Sequence, residues 1–199
     1  MFGKKPVPPP VGSSRPVAGQ PAPSATAVPG GWLMQILTND YVVAGYFQPI
    51  DMPLVGWLNV PTQSTITLVK AQVTALDPHA PQSPEFQPEV TVPKSAIIGV
   101  IPRDEKSQRA ITTQILPRQE RAIIYAGPFV LRACFRLAGE MPLRNLIGGT
   151  PGDMLVVSDA DIHSARPDAN FPPQKALSLI LSKSRIQVYY PAGAPGNAL

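Results

Sequence analysis

Asp159, Asp161 and His163 alternate along one stretch of the chain. A β-strand there sets two carboxylates and an imidazole on one face. These are ligand types for a divalent metal. Positions 70, 72 and 74, which match them upstream, hold Lys70, Gln72 and Thr74. The fold therefore does not require ligands at these places, and solvent-facing partners of a buried Ala160 and Ile162 are the simpler expectation. Cys134 stands between Arg132 and Arg136, whose charges would favour its thiolate. No histidine lies near it in sequence to act as a base, so a small residue on a half-covered face is the simpler reading. Gly148-Gly149-Thr150-Pro151-Gly152 is glycine-rich but lacks the Lys-Ser/Thr ending of a phosphate loop, and reads as a turn. No Ser/His/Asp set, paired-carboxylate site, Cys–His cluster or cofactor loop is visible. No catalytic or cofactor-binding residue is therefore expected, and the only metal candidates are Asp159, Asp161 and His163.

Three features point to partners instead. Pro6–Pro10 with Lys4 and Lys5 beside it has the composition of a polyproline II ligand or of a plain solvated tail. Trp57 falls in an expected loop, where a large aromatic suits a partner-binding anchor. Lys175, Lys183 and Arg185 gather in the basic second half and are candidates for phosphate contacts.

What must position these residues is a sequence that says nearly the same thing twice. Met52–Pro102 lies on Met141–Pro191 at an offset of 89 without a gap, with 11 of 51 positions identical and the apolar positions in phase. Met52-Pro53-Leu54 falls on Met141-Pro142-Leu143, Lys94-Ser95 on Lys183-Ser184, and Ile97 on Ile186. Upstream, Tyr41–Phe47 matches Phe129–Phe135 with one residue of slippage. The expected organisation is a disordered Pro-rich tail (1–31), copy A (32–102), a linker (103–120), copy B (121–191) and a flexible C-terminus (192–199). The tail holds eight of the 26 prolines and no acidic residue, too little apolar material to offset its ordering entropy.

Within copy A, Trp32–Leu37 and Tyr41–Gln48 read as a hairpin around Thr38-Asn39-Asp40. Met52–Asn59 reads as a loop with a helical turn. Thr65–Leu76 is a strand whose apolar parity changes between Leu68 and Ala71, which predicts a bulge near Lys70. His79–Pro88 reads as loop, and Glu89–Val92 and Ala96–Ile101 as short strands. Copy B repeats the order over Ala122–Tyr125, Phe129–Leu137, Met141–Gly149, Met154–Ala165, Leu177–Leu181 and Arg185–Tyr190. Five short strands per copy, without a long amphipathic helix, predict an all-β chain of two tandem five-stranded barrels. The expected core is Val43, Phe47, Ile66, Leu68, Val73 and Ile97, with Leu131, Phe135, Leu155, Val157, Ile162 and Ile186.

This order resembles the Sm-like and SH3-like small barrels. Gly45, Phe47, Asp51 and Leu54 follow the spacing of the first Sm motif, with Val55 where that family has asparagine. Val92-Pro93-Lys94-Ser95-Ala96-Ile97 and Leu181-Ser182-Lys183-Ser184-Arg185-Ile186 keep the spacing of the second motif without its Arg-Gly. The resemblance implies the fold. The absent residues are those that build the family's uridine pocket. In copy B, Pro142–Ile147 followed by Met154–Ile162 is similar to a bacterial domain family without an assigned activity, which implies a fold and a bacterial setting.

The sequence pI of about 9.4 suggests nucleic acid until the charges are mapped. Copy A holds two basic and five acidic residues, copy B eight basic and five acidic, and the tail three basic. The folded part is therefore dipolar, which favours docking between unlike surfaces. A single cysteine, no secretory leader and no apolar run long enough to span a bilayer give a cytoplasmic expectation. Together these features predict a non-enzymatic interaction module that docks protein partners or copies of itself. The alternative is RNA binding through copy B.

Overall fold

The computed structural model describes residues 28, 30–48, 51–80, 83–111 and 116–193. Almost all of the Pro-rich tail, including Lys4, Lys5 and Pro6–Pro10, lies outside them, as do 194–199.

The first half runs β1 (Trp32–Leu37), β2 (Tyr41–Phe47), α1 (Leu54–Leu58), β3 (Thr65–Ala75), β4 (Glu85–Pro93), a 3-10 turn (Lys94–Ala96) and β5 (Gly99–Pro102). A short helix, α2 (Glu105–Arg109), follows. The second half runs β6 (Arg118–Ala126), β7 (Phe129–Leu137), α3 (Leu143–Gly149), β8 (Met154–Ser164), β9 (Gln174–Ser182), a 3-10 turn (Lys183–Arg185) and β10 (Ile186–Pro191). Under the offset of 89, the bounds of β3 fall on β8, those of β4 on β9, and one 3-10 turn on the other.

All ten strands join one antiparallel sheet in the order β10-β6-β7-β8-β9-β5-β1-β2-β3-β4. The fifth-first-second-third-fourth order is thus the same in each half. The chain is all-β, but the expected barrel closure is absent: β5 does not return to β4, and pairs with β9 instead. Among the described residues the sheet ends on two free edges, β4 and β10.

Sequence chemistry explains the local structure. The parity change in β3 is a bulge: Ala44 pairs with Gln72 but Tyr46 with Val69, and Lys70 takes φ 48°. The same bulge recurs in β8, where Arg132 pairs with Asp161 but Cys134 with Ser158, and Asp159 takes φ 49°. The extra residue lets each long strand bend without giving up its apolar face. Gly45 sits against the first bulge, where a Cβ would meet Leu68 Cβ at 3.0 Å. α2 was not anticipated in the linker. Asp104 caps it, accepting from Ser107 N–H at 2.8 Å, while Ser107 Oγ accepts from Asp104 N–H. Pro88, expected in a loop, lies within β4, an edge strand, where a missing donor is tolerated.

The core forms two clusters, and neither respects the boundary between halves. One is built on Phe129, Leu131, Phe135, Val157 and Leu179, and it takes in Leu37, Val42, Leu76, Ile98 and Ile101 from the first half. The other is built on Met34, Ile36, Phe47, Ile66 and Leu68, and it takes in Met154 and Ile180 from the second. Of the expected core, Val73 and Ile186 are only partly buried, and the rest is buried. Leu68 and Val157 occupy matching strands in the two clusters.

Candidate functional site: the seam and the free edges

The chain's most specific chemistry lies where its halves meet. β5 and β9 pair over Gly99↔Leu181 and Val100↔Ile180, and Ser182 N–H donates to Ile98 O at 2.9 Å. Gly99 gives Leu179 room there, since a Cβ would meet Leu179 Cδ1 at 2.8 Å and force that side-chain end to shift. Asn59, just past α1, reads the start of β8 with its amide. Its Nδ2 donates to Met154 O at 2.9 Å, and its Oδ1 accepts from Met154 N–H at 2.8 Å. Gly152, at φ 80°, lies so close that a Cβ would overlap that amide. Asn170 N–H donates to Leu76 O at 2.8 Å. Arg103 bridges Gln35 on β1 and Gln174 on β9, and burial lowers its guanidinium pKa from the usual value. The halves meet edge to edge, through apolar side chains and backbone bonds, rather than face to face through charge. The lone cross-half ion pair among the described residues, Arg166 with Asp40 at 4.0 Å, is exposed and contributes little.

The residues singled out in the sequence have mostly structural employment. Lys94 Nζ donates to the carbonyls of Trp57, Leu58 and Val60 at 3.0–3.1 Å, closing the open C-terminal end of α1. Burial lowers its pKa from the usual lysine value. Lys183, its counterpart, donates to Thr150 O at 2.6 Å beyond α3. Trp57 is half-buried, with its ring 4.9 Å from that of Phe47 and 4.8 Å from Lys94 Nζ. That packing accounts for a large aromatic at this position. Lys175 lies 3.6 Å from Asp161, and Arg185 ends the second 3-10 turn, half-buried. Lys183 and Arg185 therefore share the second 3-10 turn, while Lys175 lies apart on β9.

Asp159, Asp161 and His163 do share β8. However, Asp159 is the bulge residue, and no group of three potential metal ligands gathers among the described residues. Cys134 is buried beside the β8 bulge, opposite Ser158. The Gly148–Gly152 stretch completes α3 and turns into β8. Asp153, which follows it, accepts from Ser182 Oγ at 2.5 Å and from Ser184 N–H at 2.8 Å, fixing the β9 turn.

The free edges are the features the sequence did not single out. β4 exposes Phe86 (59 %) and β10 exposes Val188 (54 %) and Tyr190 (44 %). Tyr190 stands beside Tyr125, whose hydrogen bond raises its pKa above the usual tyrosine value. The signal available in sequence was the 89-residue register itself, which makes β10 the counterpart of β5 and β4 the counterpart of β9. Comparison with protein-family models, curated proteins and solved structures finds no match for this chain.

Proposed function

We propose that the chain is a non-enzymatic assembly module. Two duplicated five-stranded units of Sm-like strand order are joined edge to edge, and the joint is reused between molecules. The observation that carries this reading is the β5·β9 pair. Its counterparts, β10 and β4, are the two strands with free edges. Carrying Gly99↔Leu181 and Val100↔Ile180 over by the repeat gives Val188 against Val92 and Tyr189 against Thr91 of a second copy. Where Gly99 makes room for Leu179, the corresponding pair is Val188 with the smaller Val90. Unlike halves would meet, the acidic first and the basic second, so the charges favour this orientation over like pairing.

One difference weakens the copied joint. Pro93 stands where Ser182 donates to Ile98, so one hydrogen bond is missing. Prolines and acids along β4 restrict pairing to the short window around Thr91, as edge strands do when promiscuous pairing must be avoided. Such a contact is heterologous, so it closes a ring or extends a fibre. Sedimentation of the full chain over a range of concentrations is the test. The expected result is reversible self-association that Thr91→Asp, an exposed change, abolishes. A strictly monomeric chain at high concentration contradicts it.

A further inference from the structure

Away from both free edges, α1 of the first half packs against β8 of the second, beside α3, which packs against β7. A cleft of about 340 Å³ opens between them. That is the size of a small-molecule site. Val55, Leu116, Leu146, Met154 and Val156 make its walls apolar. Two of its polar groups are already engaged or nearly so. Asn59 holds the Met154 backbone, and the Ser158 hydroxyl reaches only the Cys134 carbonyl, at a marginal 3.5 Å.

Arg136 differs. Among the described residues it is the only ionisable side chain in the lining, and its Nε is buried with no hydrogen-bond partner. Among the described residues no carboxylate forms an ion pair with it. A buried unpaired donor of this kind calls for a reason, since such groups are ordinarily satisfied. Its counterpart in the first half is the exposed Gln48, so the repeat does not impose an arginine there.

We propose that this cleft binds a small organic monocarboxylate with an apolar tail. Arg136 takes the carboxylate with its planar fork, and the tail lies along Val55, Leu146 and Val156. A polyphosphate would need several cations, and the described lining residues supply one. A zwitterion would need a carboxylate for its ammonium, and the described lining residues supply none. Guanidinium suits a carboxylate because two parallel N–H bonds fit its two oxygens. The inference is independent of the edge contact, because none of these residues lies on β4 or β10.

The test is calorimetric titration of the full chain with octanoate, octanol and octylamine. Octanoate should bind saturably, at least ten times more tightly than octanol, and octylamine should not bind. Arg136→Met keeps the stem and removes the donors, so it should lose the preference for octanoate while remaining folded. Val156→Phe should narrow the cleft and weaken octanoate without touching the charge. The proposal is overturned if octanoate shows no saturable binding, if octanol equals it, or if Arg136→Met binds octanoate as the parent does.

Discussion

Replacing Asn59 with alanine tests how the two halves are locked. The amide makes two hydrogen bonds to the Met154 backbone, at 2.9 and 2.8 Å, and Met154 is buried. The substitution leaves that N–H and C=O without partners. At roughly 0.5–1.5 kcal/mol per bond, the loss is about 2 kcal/mol. For a chain of this size, that corresponds to a fall in melting temperature of about 4–8 °C. Thermal unfolding followed by circular dichroism measures it, and hydrogen exchange at the Met154 amide locates it. Asn145→Ala on the exposed face of α3 is the control and should change little, since that side chain is exposed. Gly152→Ala should produce a similar defect, because the new Cβ pushes on the same amide. Asn59→Ala and Gly152→Ala together should cost less than the sum, because without the amide the new Cβ has less to displace and the Met154 bonds are lost only once. A single cooperative transition is expected throughout, as the two core clusters exchange residues. A melting point for Asn59→Ala within one degree of the parent, with Met154 exchange unchanged, would refute the reasoning.

Three further outcomes follow from named contacts. Asp104→Ala removes the cap of α2 and an acceptor for Leu33 N–H, and should cost about 1 kcal/mol by chemical denaturation. Burial raises the Asp104 pKa, but hydrogen bonds from Ser107 and Leu33 outweigh it and hold the carboxyl below its usual value. The stability it contributes is therefore full above the ordinary carboxylate range and lost as pH falls through the depressed value; an Asp104→Asn variant should show a shallower acid limb. Phe129→Ala, which removes a fully buried ring packed edge-on at 5.0 Å to Phe171, should cost about 3–5 kcal/mol in the same denaturation assay.

Much of the fold was legible because period-two alternation is strong in β2, β3, β7 and β8. The bulge at Lys70 was readable from a parity change alone, since an extra residue must flip every side chain beyond it. The start of β4 was not legible: Pro84 and Pro88 look like loop until the strand is known to be an edge. α2 was hidden in the linker, although Asp104 followed by Ser107 three residues later was a usable capping signal. Closure failed as an expectation because strand pattern specifies faces, not neighbours. Whether β5 returns to β4 or passes to β9 depends on Gly99, Asn59 and the Ile98 region acting across more than 80 residues of sequence. The candidate site suffered the same limit. Trp57 and Lys183 stood out as unusual residues, and their uses are helix-end packing and helix-end capping. Asn59 carried no local signal, and Arg136 showed in the sequence only as a charge beside Cys134, because contacts across the seam are not written in local pattern.

The most direct test of edge-to-edge assembly uses two blocked variants. Thr91→Asp places a charge in the β4 window, and Val188→Asp places one on the exposed β10 edge. Each alone should sediment as a monomer, because every head-to-tail contact needs one edge of each kind. Mixed in equal amounts, they retain one good β10 and one good β4 between them, and should form a heterodimer that grows no further. If either variant still self-associates, or if the mixture stays monomeric while the parent chain assembles, the contact is not the copied β5·β9 joint.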